Sequence, residues 1–347
     1  MTQPLHIAMI GCGWAGTRHA HAFAQCGAVV RWAVDLNPAR ARALADALAS
    51  QQDTRITTDH HEALGDPVVD AVDICLPHNL HAPVAIDAAR RGKHILCEKP
   101  IADTLAAADR MIAAAEAVGV TLMIAENERF SPLYRKVREL LDRGVIGTPA
   151  LVQRTRECYL TRSFVEDRPW FLDAKAAAGG MMMAGGVHDF ETTRMLVGDV
   201  ESVYALRAPQ RFLELEGDDT SVALVRFQSG AVGTFVLSFV MKSLTTAAGP
   251  EVHTLRIDGD LGSLSVRDGQ TIHLFTEQST PFLGERLVQH DIVVPPQDTF
   301  LLEVEHFIHC VQIGEEPLTS GRAQRRPLEF VLAAYESMAT GRPVVLS

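Results

Sequence analysis

The chain has 347 residues, enough for two domains, and its 47% hydrophobic and 22% charged residues are those of a globular protein. Asp plus Glu number 43 against 32 Lys plus Arg, a formal net charge of −11. That acidic balance argues against nucleic acid or an anionic membrane as the main partner and leaves a small-molecule substrate open. No basic segment precedes the first apolar run. The longest apolar stretch, Ala231–Met241, falls well short of the ~20 residues of a spanning helix. The six cysteines lack CxxC spacing and read as reduced, buried thiols in a cytoplasmic protein.

Taken in order, the first part alternates short apolar runs with helical patterns. Leu5–Ile10 reads as a strand ending at glycine, Thr17–Cys26 as a helix, and Val29–Val34 as a strand ending at Asp35. Pro38 opens a helix over Ala39–Ser50. Val68–Leu76, His94–Cys97 and Val120–Ala125 read as strands, with helices over Ala82–Arg91 and from a cap at Asp103 or Thr104 to Val118. Strands alternating with helices of this length predict βαβ units and a doubly wound parallel sheet, the Rossmann arrangement, over residues 1–125. The pattern then changes. Ala150–Arg156, Val200–Arg207, Ser221–Phe227, Ala231–Val240, His253–Ile257 and Thr271–Phe275 are strand patterns separated by Ser-Gly and Asp-Gly turns. Helices are expected near Gly185–Leu196, Phe300–Ile313 and Pro327–Thr340. Residues 126–347 thus predict a second domain, an antiparallel sheet backed by helices.

Gly11-Cys12-Gly13-Trp14-Ala15-Gly16 follows a strand and opens a helix, the setting in which GxGxxG binds a dinucleotide. Gly11 permits the tight turn, Gly13 lets backbone reach the pyrophosphate, and Gly16 lets helix and strand pack closely. The helix N-terminus offers free N–H groups to the phosphates. Asp35, at the end of the second strand, suits the ribose hydroxyls of NAD and repels the 2′-phosphate of NADP. Glu98-Lys99-Pro100 ends another strand at the sheet's carboxyl edge. An ammonium there can stabilise an alkoxide during hydride transfer. His188 lies in Gly179-Gly180-Met181-Met182-Met183-Ala184-Gly185-Gly186-Val187-His188, where an imidazole titrating near neutrality suits proton removal. Asn127 and Arg129 are candidates for substrate hydroxyls or for a structural ion pair. Arg156, Tyr159 and Trp170 are candidates for contacts to a ring or for a rim or subunit contact. The fourteen histidines, His60 and His61 among them, show no metal-ligand spacing with further donors, so no metal is expected.

In combination, the glycine loop, Asp35, Leu76-Pro77-His78-Asn79-Leu80-His81, Gly92-Lys93-His94-Ile95-Leu96-Cys97-Glu98-Lys99-Pro100 and Gly179-Gly180…Gly186-x-His188 resemble the glucose–fructose oxidoreductase/inositol dehydrogenase/MocA (Gfo/Idh/MocA) family. The resemblance implies a Rossmann domain over residues 1–125 followed by an α/β domain over 126–347 with a large, mostly antiparallel open sheet, whose C-terminal segment packs back on the first domain. It also implies NAD(P)-dependent oxidation or reduction of a sugar, glycoside or cyclitol hydroxyl, on a homodimer or homotetramer. It places the glycine loop, Asp35, Leu76, Pro77, Asn79, His81, Glu98 and Lys99 around the cofactor, and makes Lys99 and His188 catalytic. It also implies rivals: a relative that keeps NAD bound and cleaves a glycoside through transient oxidation at C3, or a non-catalytic sensor. Ala184 departs from the family, which often has aspartate there. Glu191, three residues past His188 on the same helix face, or a hydroxyl of the substrate itself, is expected to orient the histidine instead, and Glu191 is also a candidate to meet substrate.

Overall fold

A computed structural model of the chain describes residues 3–48, 54–241, 251–277 and 288–346. The backbone divides into two compact units. One comprises Met1–Asn127 with Asp298–Arg326, the other Glu128–Gln297 with Pro327–Ser347.

The first unit holds six parallel strands: β1 (His6–Ile10), β2 (Val29–Val34), β3 (Arg55–Thr57), β4 (Ala71–Ile74), β5 (His94–Glu98) and β6 (Leu122–Ala125). Their order, β3-β2-β1-β4-β5-β6, is that of a doubly wound sheet whose direction reverses between β1 and β4. Every residue of β4 and β6 is buried, because helices cover both faces and no position is left for a polar outer row. The helices are Trp14–Gln25, Pro38–Ala47, His60–Gly65, His81–Arg90 and Leu105–Val118. Asn37 caps the second through the Ala39 N–H, with proline in its first turn. The expected extension to Ser50 lies partly outside the described residues. Thr104 caps the Leu105–Val118 helix, and left-handed Gly119 ends it. Thr299–Ile313, capped by Asp298, belongs to this unit. Its Phe307 meets Phe23 edge to face, centroids 6.1 Å apart.

The second unit is built on nine strands: β7 (Pro149–Cys158), β8 (Val200–Arg207), β9 (Thr220–Phe227), β10 (Val232–Ser238), β11 (Glu251–Gly259), β12 (Gly262–Val266), β13 (Thr271–Thr276), β14 (Val288–Val293) and β15 (Val344–Val345). The order is β14-β13-β12-β11-β7-β10-β9-β8-β15, antiparallel except for the parallel β7–β10 pair. Buried Val152, Arg154 and Arg156 alternate along β7 with partly or fully exposed residues, so all three point to one face. A π-helical turn, Met182–Gly186, leads into the helix Val187–Val197. The expected helix near Gly185–Leu196 is therefore two pieces, the wider turn coming first. Pro132–Asp142 is a helix that the sequence reading did not single out, although Pro132 opens it and buried Leu133, Val137 and Leu140 recur at helical spacing. The helix Gly321–Thr340 begins before the expected Pro327 and carries that proline inside it.

Candidate active site

In the first unit the glycine loop is shaped by two close approaches. Gly11 has φ +100°, and a Cβ there would lie 2.1 Å from the Cys75 carbonyl oxygen; one on Gly16 would lie 2.0 Å from the Gly11 oxygen. Only glycine meets both demands. Gly13 faces open space instead. No side chain caps the helix that starts after it, so its first N–H groups are available to an anion. Asp35 is tied to the same loop: its Oδ2 accepts the Cys12 N–H at 2.9 Å and its Oδ1 the Asn37 N–H at 2.8 Å. The carboxylate is thereby aimed beside Gly13 before any ligand arrives. Burial and the Asp35 charge push the Cys12 thiol up to about 12, which leaves it an inert packing group. Trp14 is 56% exposed, with Arg18 over its ring.

Leu76, Pro77 and Asn79 follow β4 in a half-buried loop. Asn79 Oδ1 is buried without a hydrogen-bond donor, an acceptor that a ribose hydroxyl or carboxamide would satisfy. Together with the open glycine and the uncapped helix, this set fits a dinucleotide. His81 corrects the expectation that it lines the cofactor. Its ring is fully buried, with Nδ1 and Nε2 each 2.8 Å from a carbonyl oxygen, of Pro100 and Leu76 respectively. Burial lowers the ring's pKa and keeps it neutral, so one nitrogen donates to its carbonyl, and the ring packs the Leu76 loop against the Lys99-Pro100 turn rather than meeting a ligand. Glu98 ends β5 and its Oε2 accepts the Lys99 N–H at 3.0 Å. Asn127 donates to the Thr299 hydroxyl at 2.7 Å, so its amide is a fold contact.

In the second unit, half-buried His188 sits in the first turn of Val187–Val197, next to a buried ionic cluster. Asp189 accepts from Arg154 and Arg156, Arg156 also reaches Glu128, and the Arg154 guanidinium lies over the Tyr134 ring. Burial works to raise the Glu128 carboxyl, and the charges of Arg156, His188 and Arg154 overcome it, holding Glu128 ionised. Burial and Arg156 push nearby His253 down to about 4, so it is neutral at physiological pH. Arg156 is therefore committed to Glu128 and Asp189 rather than to substrate, which corrects one sequence expectation.

Glu191 corrects another. It is buried and paired with Arg194 at 3.0 Å and with Arg129 at 3.8 Å. Arg129 and Glu191 thus form the structural ion pair, and Glu128 is the carboxylate whose charge couples to His188. Tyr159 is 40% exposed, and half-buried Trp170 meets Phe171 edge to face. Sequence reasoning missed Glu128, Arg154 and Asp189. Alternation along β7 was a signal for the arginines, but charged residues at inward positions read as outward ones. Among the described residues, His19, Asp73 and Cys75 gather around the His19–Asp73 hydrogen bond, and Asp59, His60 and His61 group nearer the surface.

Comparison with known proteins gives two family-model matches: "Oxidoreductase family, NAD-binding Rossmann fold" over residues 5–126, and "GFO/IDH/MocA C-terminal domain" over residues 134–265. The chain is 30% identical over 350 residues to myo-inositol 2-dehydrogenase of Thermotoga maritima, covering 99% of this chain and 98% of that protein. It is 27% identical over 349 residues to D-xylose 1-dehydrogenase [NADP(+)] of Haloarcula marismortui, covering 99% and 94%. Levoglucosan dehydrogenase in complex with NADH and levoglucosan has the same fold, with a TM-score of 0.86 at 22% identity over 99% of this chain and all of that one.

Proposed function

The chain belongs to the Gfo/Idh/MocA oxidoreductases, and we propose that it oxidises or reduces a secondary hydroxyl or ketone of a sugar, glycoside or cyclitol with NAD rather than NADP. The observation that carries the reading is Asp35 held by the Cys12 amide beside open Gly13. A carboxylate so placed accepts two ribose hydroxyls and repels a phosphate. Because the relatives include an NADP-dependent enzyme, the preference rests on this carboxylate.

Bound NAD would supply the hydride acceptor or donor. The chain's own residues do the rest. The glycine loop and helix N-terminus hold the pyrophosphate, and Asn79 receives a donor. His188 takes the hydroxyl proton during oxidation and returns it during reduction. Lys99 offers an ammonium to the oxygen as charge develops on it. The buried Glu128–Arg156–Asp189 cluster keeps a fixed field beside His188. Ala184 can neither bind substrate nor assist the histidine, which favours a substrate other than inositol.

The test is absorbance at 340 nm over a panel of sugars, glycosides and cyclitols, with NAD or NADP and with the cofactor content of the purified protein measured. NAD-dependent change on a polyol is expected. Loss of a glycosidic bond without added NAD would replace dehydrogenation by the cleavage reaction. Exposed Leu206, Val222, Leu224 and Val232 share one face of the nine-stranded sheet. This supports a homo-oligomer assembled through that face, which light scattering on wild type and Leu224→Lys would test.

A further inference from the structure

Beneath the Lys99 turn, the first unit buries a cluster of ionisable groups that the proposed chemistry does not use. His19, on the helix Trp14–Gln25, has no solvent exposure. Its Nδ1 lies 3.0 Å from both carboxylate oxygens of Asp73 on β4 and 3.6 Å from the Cys75 thiol. Asp73 thus fixes the Nδ1 proton and turns Nε2 to the other side. There Nε2 lies 3.4 Å from Glu303 Oε1, on the helix Thr299–Ile313, and 3.6 Å from Glu98 Oε1. Glu303 is fully buried, and neither its carboxyl oxygens nor His19 Nε2 makes a hydrogen bond of ordinary geometry. The second oxygen of Glu98 holds the Lys99 amide. Asp73 thus anchors His19, the His19 ring faces the Glu98 carboxylate across 3.6 Å, and Glu98 holds the Lys99 amide, with Glu303 set beside the middle of this series.

We infer that His19 and Glu303 are positioning residues for Lys99, acting through Glu98. The inference rests on the reading of Lys99 as the catalytic ammonium. An imidazolium at His19 attracts the Glu98 carboxylate and fixes where the Lys99 turn sits. Glu303, next to both, sets the charge of that pair by holding or releasing a proton. The groups facing it are His19, Glu98 and, after β6, Glu126; Asp73 and Cys75 face the far side of the His19 ring, with Cys97 beside them on β5. Burial would strip the charge from His19, and the Asp73 carboxylate overcomes it, holding the ring well above its ordinary value. Burial pushes the Glu303 carboxyl up to about 8. At neutral pH the cluster then holds a protonated Glu303 against a charged His19. Raising the pH releases a negative charge beside Glu98.

The decisive measurement reads Lys99 itself and needs no substrate. The chain has five lysines. Reductive ¹³C-methylation of the NAD-bound protein, with Lys99→Arg to assign the signal, gives a titration curve for Lys99. The wild-type curve is expected to carry an inflection near pH 8 that disappears in Glu303→Gln, and its midpoint is expected to move in His19→Asn. With the responsive substrate, His19→Asn should lower kcat about tenfold while KM and the NAD Kd hold. Identical Lys99 curves in wild type and in folded, NAD-binding Glu303→Gln overturn the inference. Should His19→Asn fail to fold, the near-isosteric Glu303→Gln carries the comparison alone. Failure of the catalytic reading is separate: it is a Lys99→Ala enzyme that still turns over at the wild-type rate.

Discussion

Lys99 concentrates the proposed chemistry in one amine, and its removal has a defined signature. In the proposed site the glycine loop and Asp35, joined through the Cys12 amide, would hold the dinucleotide without it. Lys99→Ala is therefore expected to lower kcat by about a hundredfold or more, since losing one preorganised charge-stabilising donor costs 10²–10³. The NAD Kd should change little, and stopped-flow absorbance with fluorescence titration separates the two. Asp35 has the opposite signature. Asp35→Ser removes the acceptor for the ribose hydroxyls and the repulsion of a 2′-phosphate together. NAD should bind about tenfold more weakly and NADP more tightly, a change of about 1.4 kcal/mol, within the range of a hydrogen bond to a charged group. Unchanged Kd values for both cofactors would remove Asp35 from the site. These residues were legible because their chemistry is local: a glycine at a forbidden φ, a carboxylate at a strand end, a lysine in a tripeptide. His81 was legible as a position but not as a role. Nothing in Leu76–His81 says that both ring nitrogens will find carbonyls, one of them on Pro100.

At the scale of elements, β7 shows where pattern reading runs out. Val152, Arg154 and Arg156 alternate as a strand should, and the strand was legible for that reason. The arginines nevertheless face inward, because the helix Val187–Val197 brings Asp189 to them and Glu128 meets them from elsewhere in the chain. Ionic partners far apart in sequence leave no periodic trace. The burial makes the cluster costly to break. Arg156→Ala leaves Asp189 and Glu128 to share Arg154 alone, and removing one partner of a buried pair typically costs about 3–5 kcal/mol. Denaturant unfolding should show that loss, whereas Arg256→Ala, which leaves an exposed Asp258 pair, should cost under about 1 kcal/mol. Similar losses at both positions would mean that the inner cluster is solvated and no part of a dry site.

For the molecule as a whole, the two-part plan was legible from the switch between alternating βαβ grammar and successive strands. The return of Asp298–Arg326 to the first unit is written only in the contacts of Thr299–Ile313. That return carries Glu303 into the His19 cluster, and with it a pH dependence of folding. The folded Glu303 carboxyl titrates at about 8, against an ordinary 4.5. Between those values the folded chain keeps a proton that the unfolded chain has released. Stability therefore falls as pH rises through this window and levels off above it. His19, raised above its ordinary 6.5, acts in the same direction, its contribution present below that value and lost as pH rises through its folded value. Glu303→Gln removes the carboxyl's share. The Tm of the variant minus that of wild type should grow from pH 5 to pH 8 and then flatten. Each pK unit is worth about 1.4 kcal/mol, and a domain of this size moves roughly 2–4 °C per kcal/mol, so the divergence should reach several degrees in a calorimetric series. A variant that instead loses stability at neutral pH would identify Glu303 as an ionised partner of His19, and would reverse the charge assigned to the group beneath the Lys99 turn.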